Sequence, residues 1–104
     1  MDRKELIKKL KEFKKKIEKK YGVDTLILFG SRATNKYGKE SDVDLIIVGD
    51  FKGRNSLIRV PPLYDYWDID LPVDFLCYTP KEFEELKNKI SIVKEALSEG
   101  IIIK

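Results

Sequence analysis

The chain has no histidine and no glutamine among its 104 residues, and one cysteine, one methionine and one tryptophan. Without imidazole there is no serine-histidine relay, no histidine-held zinc and no side chain whose ordinary pKa lies near neutrality. The single thiol, Cys77, excludes an internal disulfide and a cysteine-built zinc cage. It falls in the apolar run VDFLCY, where a small buried side chain is the simplest reading. A run of about 18 apolar residues is missing, as is an apolar leader near the N-terminus, so no membrane partner is expected and the cytoplasm is the expected location. Any catalysis has to rest on carboxylates and a bound cation.

What the chain does have is charge, at 38% of residues against 42% hydrophobic. Its length suits a single domain, residues 1–104, with a core but no second lobe, so that a substrate must be held partly by another molecule. Plentiful Lys, Glu and Ile beside scarce Asn, Gln, Met and Cys is the balance of heat-adapted proteins, and a thermophilic source is expected. The net charge of +3 is uneven: residues 1–20 carry ten basic against four acidic side chains, and the remainder eleven against fourteen. A basic first helix offers a surface to nucleic acid or to an acidic partner. A solvated helix face explains it more simply, and nucleic acid is not the expected partner.

Residues 2–20 place Leu6, Ile7, Leu10, Phe13 and Ile17 on one helical face, with Asp2 and Glu5 at the start and Gly22 at the stop. Thr25 to Phe29 is apolar without alternation, as in a strand buried on both faces. Gly30 ends it, and Ser31 suits the N-cap of a short helix through Arg32, Ala33 and Thr34, which would turn backbone N–H groups toward open space beyond the strand. Residues 35–41 read as a loop, Asp42 to Val48 as a second strand, and Phe51 to Asn55 as a turn. Pro61-Pro62 predicts a short helix from Pro62 to Trp67. A third strand spans Val73 to Tyr78. Thr79, Pro80 and Glu82 open a helix with Phe83 and Leu86 on its apolar face; Ser91 and Gly100 bracket another, and Ile101 to Ile103 is a possible fourth strand.

Two carboxylates at the mouth of an apolar strand need a reason, because a charge beside low-dielectric surroundings must be paired, protonated or bound to a cation. Residues two apart on a strand project to one face, so Asp42 and Asp44 point together while Val43 and Leu45 anchor the strand. Asp74 repeats the device between Val73 and Phe75. Three converging carboxylates make an oxygen-only site of the kind magnesium takes, and two cations about 3.5–4 Å apart can clamp a phosphoryl displacement. Asp68 and Asp70 share the spacing but run into Leu71-Pro72, where a helix end or turn accounts for them. Each aspartate taken singly reads as a cap, turn or ion-pair residue; together, behind Gly30-Ser31, they point to chemistry.

The combination of FGSR, a spacing of ten residues between Ser31 and Asp42, SDVDLIIV and a later VDF closely resembles the minimal nucleotidyltransferases of the DNA polymerase β-like superfamily, over roughly residues 25–78. The resemblance implies an α+β fold with a small mixed β-sheet packed against helices. It also implies roles: Asp42 and Asp44 hold two Mg2+ ions, and Asp74 completes the ion on the acceptor side and is the candidate to take the acceptor's proton. Gly30 and Ser31 bind the triphosphate of ATP, with Arg32 assisting. Relatives often continue the turn as Ala-Arg-Gly where this chain has Ala33-Thr34-Asn35, so a role for that arginine is missing here. Stand-alone members of the family resemble the antitoxins of toxin-antitoxin pairs, working beside a helical HEPN-type toxin and in some cases transferring AMP to a tyrosine of that partner. The competing expectation is a non-catalytic, nucleotide-binding antitoxin that neutralises its partner by contact. Leu63, Tyr64, Tyr66 and Trp67 are left as partner interface, base-stacking platform or lid over the sheet.

Overall fold

The computed structural model of the chain describes residues 1–34, 41–53 and 55–104. Helix α1 (Arg3–Tyr21) starts where the Asp2 carboxylate accepts the Glu5 amide at 2.8 Å, and stops at Gly22, whose φ of 57° returns its N–H to Glu18 O. Its buried stripe is Leu6, Leu10, Phe13 and Ile17. Strands β1 (Thr25–Phe29) and β2 (Val43–Val48) follow, then a short helix α2 (Ser56–Arg59), a 3-10 helix (Pro61–Tyr66) and strand β3 (Val73–Tyr78). Helices α3 (Pro80–Leu86) and α4 (Ile92–Glu99) and the two-residue strand β4 (Ile101–Ile102) complete the order.

The strands form one mixed sheet in the order β3-β2-β1-β4. β1 runs antiparallel to both β2 and β4, while β2 and β3 are parallel. A parallel pair needs a crossover, and the segment carrying α2 and the 3-10 helix supplies it. On one face of the sheet α1 and the 3-10 helix cover Leu26, Leu28, Leu45 and Phe75; on the other α3 and α4 cover Ile27, Ile46 and Val48. β1 is therefore buried on both faces, as its unbroken apolar run predicts. β4 gives the C-terminal isoleucines a partner in β1, and Ile103 is fully buried.

Two expectations need correcting, and one element is added. The segment after Ser31 is a turn, not a helix: Ala33 N donates to Gly30 O and Thr34 N to Ser31 O, and the Thr34 hydroxyl reaches the same two carbonyls. A side-chain hydroxyl that competes for these acceptors disfavours helix continuation. The proline pair opens a 3-10 helix one residue earlier than expected, because neither proline has an N–H and the first available bond is the short one from Leu63 N to Val60 O at 2.9 Å. Helix α2 was not expected. The predicted loop at 35–40 lies outside the described residues. Among the described residues no helix is long and apolar enough to cross a membrane.

Candidate active site

Parallel pairing of β2 with β3 sets Asp44 directly beside Asp74, and antiparallel pairing of β1 with β2 sets Phe29 across from Asp44. One row of the sheet thus carries both carboxylates at the point where β1 ends. By strand alternation these side chains share the face of Ile46, Val48 and Leu76, while Val43, Leu45, Val73 and Phe75 are buried in the opposite core. Asp42 stands exposed immediately before β2. Burial holds the Asp44 carboxyl above its ordinary range, and the negative charges of Asp74 and then Asp42 push it further the same way. Asp44 thus feels both other acids, a repulsion that a bound cation would relieve. Among the described residues no three acidic or thiol side chains are already gathered as a metal cage. The donor set fits magnesium in chemistry, with oxygen ligands only, and a bound ion would have to draw the acids together.

Gly30 brings the turn up against this row. Its φ is 74°, and a Cβ built on it would fall on Asp44 Oδ2, with Asp44 Cγ at 3.2 Å. Only glycine both adopts this backbone and leaves room for the carboxylate. The Ser31 amide makes no backbone bond among the described residues, so it is available to an oxygen acceptor beyond the strand.

Two hollows meet here. Asp44 and Asp74 line a cleft of about 710 Å³ whose walls are Leu57, Val60, Pro61, Tyr64 and Ile92. Gly30, Ser31 and Thr34 line a second of about 350 Å³, which shares Phe29 and Ile92 with the first and is faced from α4 by Glu95 and Glu99. An apolar cleft with two acids at its base suits an aromatic or hydrocarbon group attached to something that binds cations. The glutamates oppose any anion in the smaller hollow, so phosphate fits there only with its charge compensated.

Of the residues singled out from the sequence, the structure brings Gly30, Ser31, Asp44 and Asp74 to one end of the sheet, with Asp42 at its entrance. Arg32 is placed otherwise. It is 2% exposed, and its Nε donates to Ser41 O at 2.8 Å, so its guanidinium braces the backbone that leads into Asp42. Asp68 is an ion-pair residue, held by Lys16 Nζ at 2.7 Å, which lowers its pKa. Trp67 and Tyr64 pack edge-on against Phe75, and Trp67 also against Phe13, so these aromatics lid the sheet.

Sequence reasoning missed the cleft's outer wall on α2 and the residue that fixes it. Arg59 is 7% exposed. It donates to Gly53 O from Nε and Nη2, to Cys77 O from Nη1, and to Glu82 Oε1 at 2.6 Å. Glu82 is in turn the N3 acid of the α3 capping box. One buried guanidinium thus ties the loop after β2, the end of β3 and the start of α3 to α2. A lone cation inside the apolar stretch LIRVPPL was the available signal, of the same kind as Asp74 inside VDFLCY.

Comparison with known proteins agrees with this architecture. Residues 10–101 match the nucleotidyltransferase domain family, and the chain belongs to that family. Three proteins of Methanocaldococcus jannaschii, each named "putative protein adenylyltransferase", are similar to it. One is 31% identical over 85 residues, spanning 73% of this chain and 85% of the relative. Another is 39% identical over 66 residues, 58% of this chain and 67% of the relative, and a third is 47% identical over 45 residues, 41% and 45% respectively. A solved structure described as a "putative nucleotidyltransferase" from Sulfolobus solfataricus superposes with a TM-score of 0.67 over 96% of this chain and 80% of that one. At 20% identity that likeness speaks to the fold.

Proposed function

We propose that the chain transfers a nucleoside monophosphate, AMP from ATP, to a hydroxyl group in a magnesium-dependent reaction, and that the acceptor is a tyrosine of a partner protein. The observation that carries this is the row formed by Asp44 and Asp74 on paired strands, with the Gly30 turn pressed against it. The relatives named as protein adenylyltransferases support a nucleotide donor and a protein acceptor.

Asp42 and Asp44 would hold two magnesium ions with Asp74 completing the acceptor-side ion. Bound there, magnesium neutralises the phosphate oxygens and lowers the pKa of the attacking hydroxyl. The chain's own groups do the rest. The Ser31 amide and the Gly30 turn orient the triphosphate beyond β1. The apolar walls of the larger cleft exclude water from the acceptor. Asp74, exposed at the cleft base, accepts the proton of the attacking hydroxyl, and pyrophosphate leaves. Leu57 and Tyr64, 86% and 49% exposed, give the acceptor an apolar rim to lie against.

In this reading the chain is the antitoxin of a toxin-antitoxin pair, and its partner is a helical toxin of the HEPN type. Incubation with α-labelled ATP, magnesium and that partner is expected to label a partner tyrosine, and Asp44→Asn to abolish the label. A tight complex that never acquires label, with wild-type chain and magnesium present, would replace this reading by neutralisation through contact alone.

A further inference from the structure

We infer that Tyr64 is itself an acceptor, and that the site nucleotidylates the Tyr64 hydroxyl of its own chain. This rests on the nucleotidyl-transfer reading above.

Tyr64 lies on the 3-10 helix and lines the same cleft as Asp44 and Asp74. Its ring stands edge-on to Phe75, with centroids 5.1 Å apart, and its hydroxyl donates to Val73 O at 3.2 Å. That carbonyl belongs to the peptide whose N–H is Asp74's. The phenol oxygen is therefore held against the backbone of edge strand β3 beside Asp74, and it reaches the carboxylate, which projects to the other face of the sheet, around that free edge. A lid over Phe75 needs the ring alone, and phenylalanine would serve; the hydroxyl is what places a nucleophile in the cleft.

The other described tyrosines are placed differently. Tyr21 and Tyr66 pack against each other beneath Lys20, and Tyr78 ends β3, four residues beyond Asp74. The Thr34 hydroxyl is directed at turn carbonyls and lines the smaller hollow.

The step balances with a nucleoside triphosphate as the one co-reactant. Tyr64 Oη forms a bond to the α-phosphorus, the bond from that phosphorus to the oxygen bridging the β-phosphorus breaks, and pyrophosphate leaves. The phenol proton passes to the Asp74 carboxylate. The product fills the cleft with a covalently attached nucleotide and closes it to an outside acceptor, so the reaction limits the enzyme that performs it.

The test incubates the whole chain alone with magnesium and ATP and reads intact mass and peptide maps. The expected result is one added nucleoside monophosphate, less water, on the peptide containing Tyr64. Tyr64→Phe and Asp44→Asn should each lose it, and the rate constant should not change with protein concentration. Mass on another residue, mass retained in Tyr64→Phe, or a rate that rises with protein concentration would overturn the inference, the last by assigning the reaction to a second copy. Calorimetric titration with magnesium and a non-hydrolysable ATP analogue separates the two levels. Asp44-dependent binding without mass on Tyr64 overturns the self-acceptor alone, whereas no binding at all overturns the nucleotidyl-transfer reading with it.

Discussion

Gly30 and Asp44 share one volume: the place where a Cβ of residue 30 would sit is taken by the Asp44 carboxylate. Gly30→Ala must therefore both strain a backbone held at φ 74° and displace a proposed metal ligand. The expected outcome is a loss of about 1–2 kcal/mol in stability from the left-handed conformation, measured by urea unfolding. Magnesium-dependent nucleotide affinity should fall by a larger factor than it does for an alanine at exposed Ser98.

Asp44 carries its own pH signature. Its folded pKa is raised by burial and by the charges of Asp74 and Asp42, so the protonated form is the one favoured by folding. That contribution is complete below the unfolded-state pKa and is lost as pH rises through the folded value. Without magnesium, Asp44→Asn should raise the melting temperature at neutral pH, and the gain should vanish in acid. Magnesium should reverse the order at neutral pH by stabilising the wild type alone.

Glu95 and Glu99 face the Gly30-Ser31 turn across the smaller hollow. Replacing both with glutamine removes charge that opposes a phosphate group. Nucleotide affinity should rise by about 2- to 10-fold, the range for exposed charges in water, and should need less magnesium to reach half-saturation. Titration calorimetry across magnesium concentrations is the measurement.

Arg59 predicts a structural loss with a functional consequence. Arg59→Met removes bonds to Gly53, Cys77 and Glu82 and leaves the buried Cys77 carbonyl unpaired. A cost of about 2–4 kcal/mol in chemical unfolding is expected. The hydrogen bond from Arg59 is the leading cause of the lowered Glu82 pKa, so the wild type should lose this contribution as pH falls through that depressed value. Arg59→Met should lose less stability than the wild type over the same window.

Cys77 should be chemically silent in the native state. Burial pushes its thiol up to about 12, with Arg59 opposing only weakly. Alkylation at pH 8 should therefore follow global unfolding, and its rate should track denaturant concentration rather than reagent access to a folded thiol.

The sequence made legible those features that depend on one residue type at one place. Gly22, Thr79 with Glu82, and Ser91 cap the helices expected of them, and the unbroken run of β1 is buried on both faces. Asp44 and Asp74 each point away from the apolar neighbours that anchor their own strands because strand alternation is a fixed period. What could not be read was pairing: that β3 lies parallel to β2 in a register bringing Asp74 level with Asp44 follows from tertiary contact, not from either strand alone. The surroundings of Arg32 could not be read for the same reason. An arginine beside a glycine turn looks like a phosphate ligand, and only the fold shows that Ser41, nine positions on, takes one of its N–H groups.

That bond from Arg32 to Ser41 joins the two sides of the interval between the Gly30 turn and Asp42. It makes the approach of the chain to Asp42 depend on a buried side chain as well as on strand β2 itself.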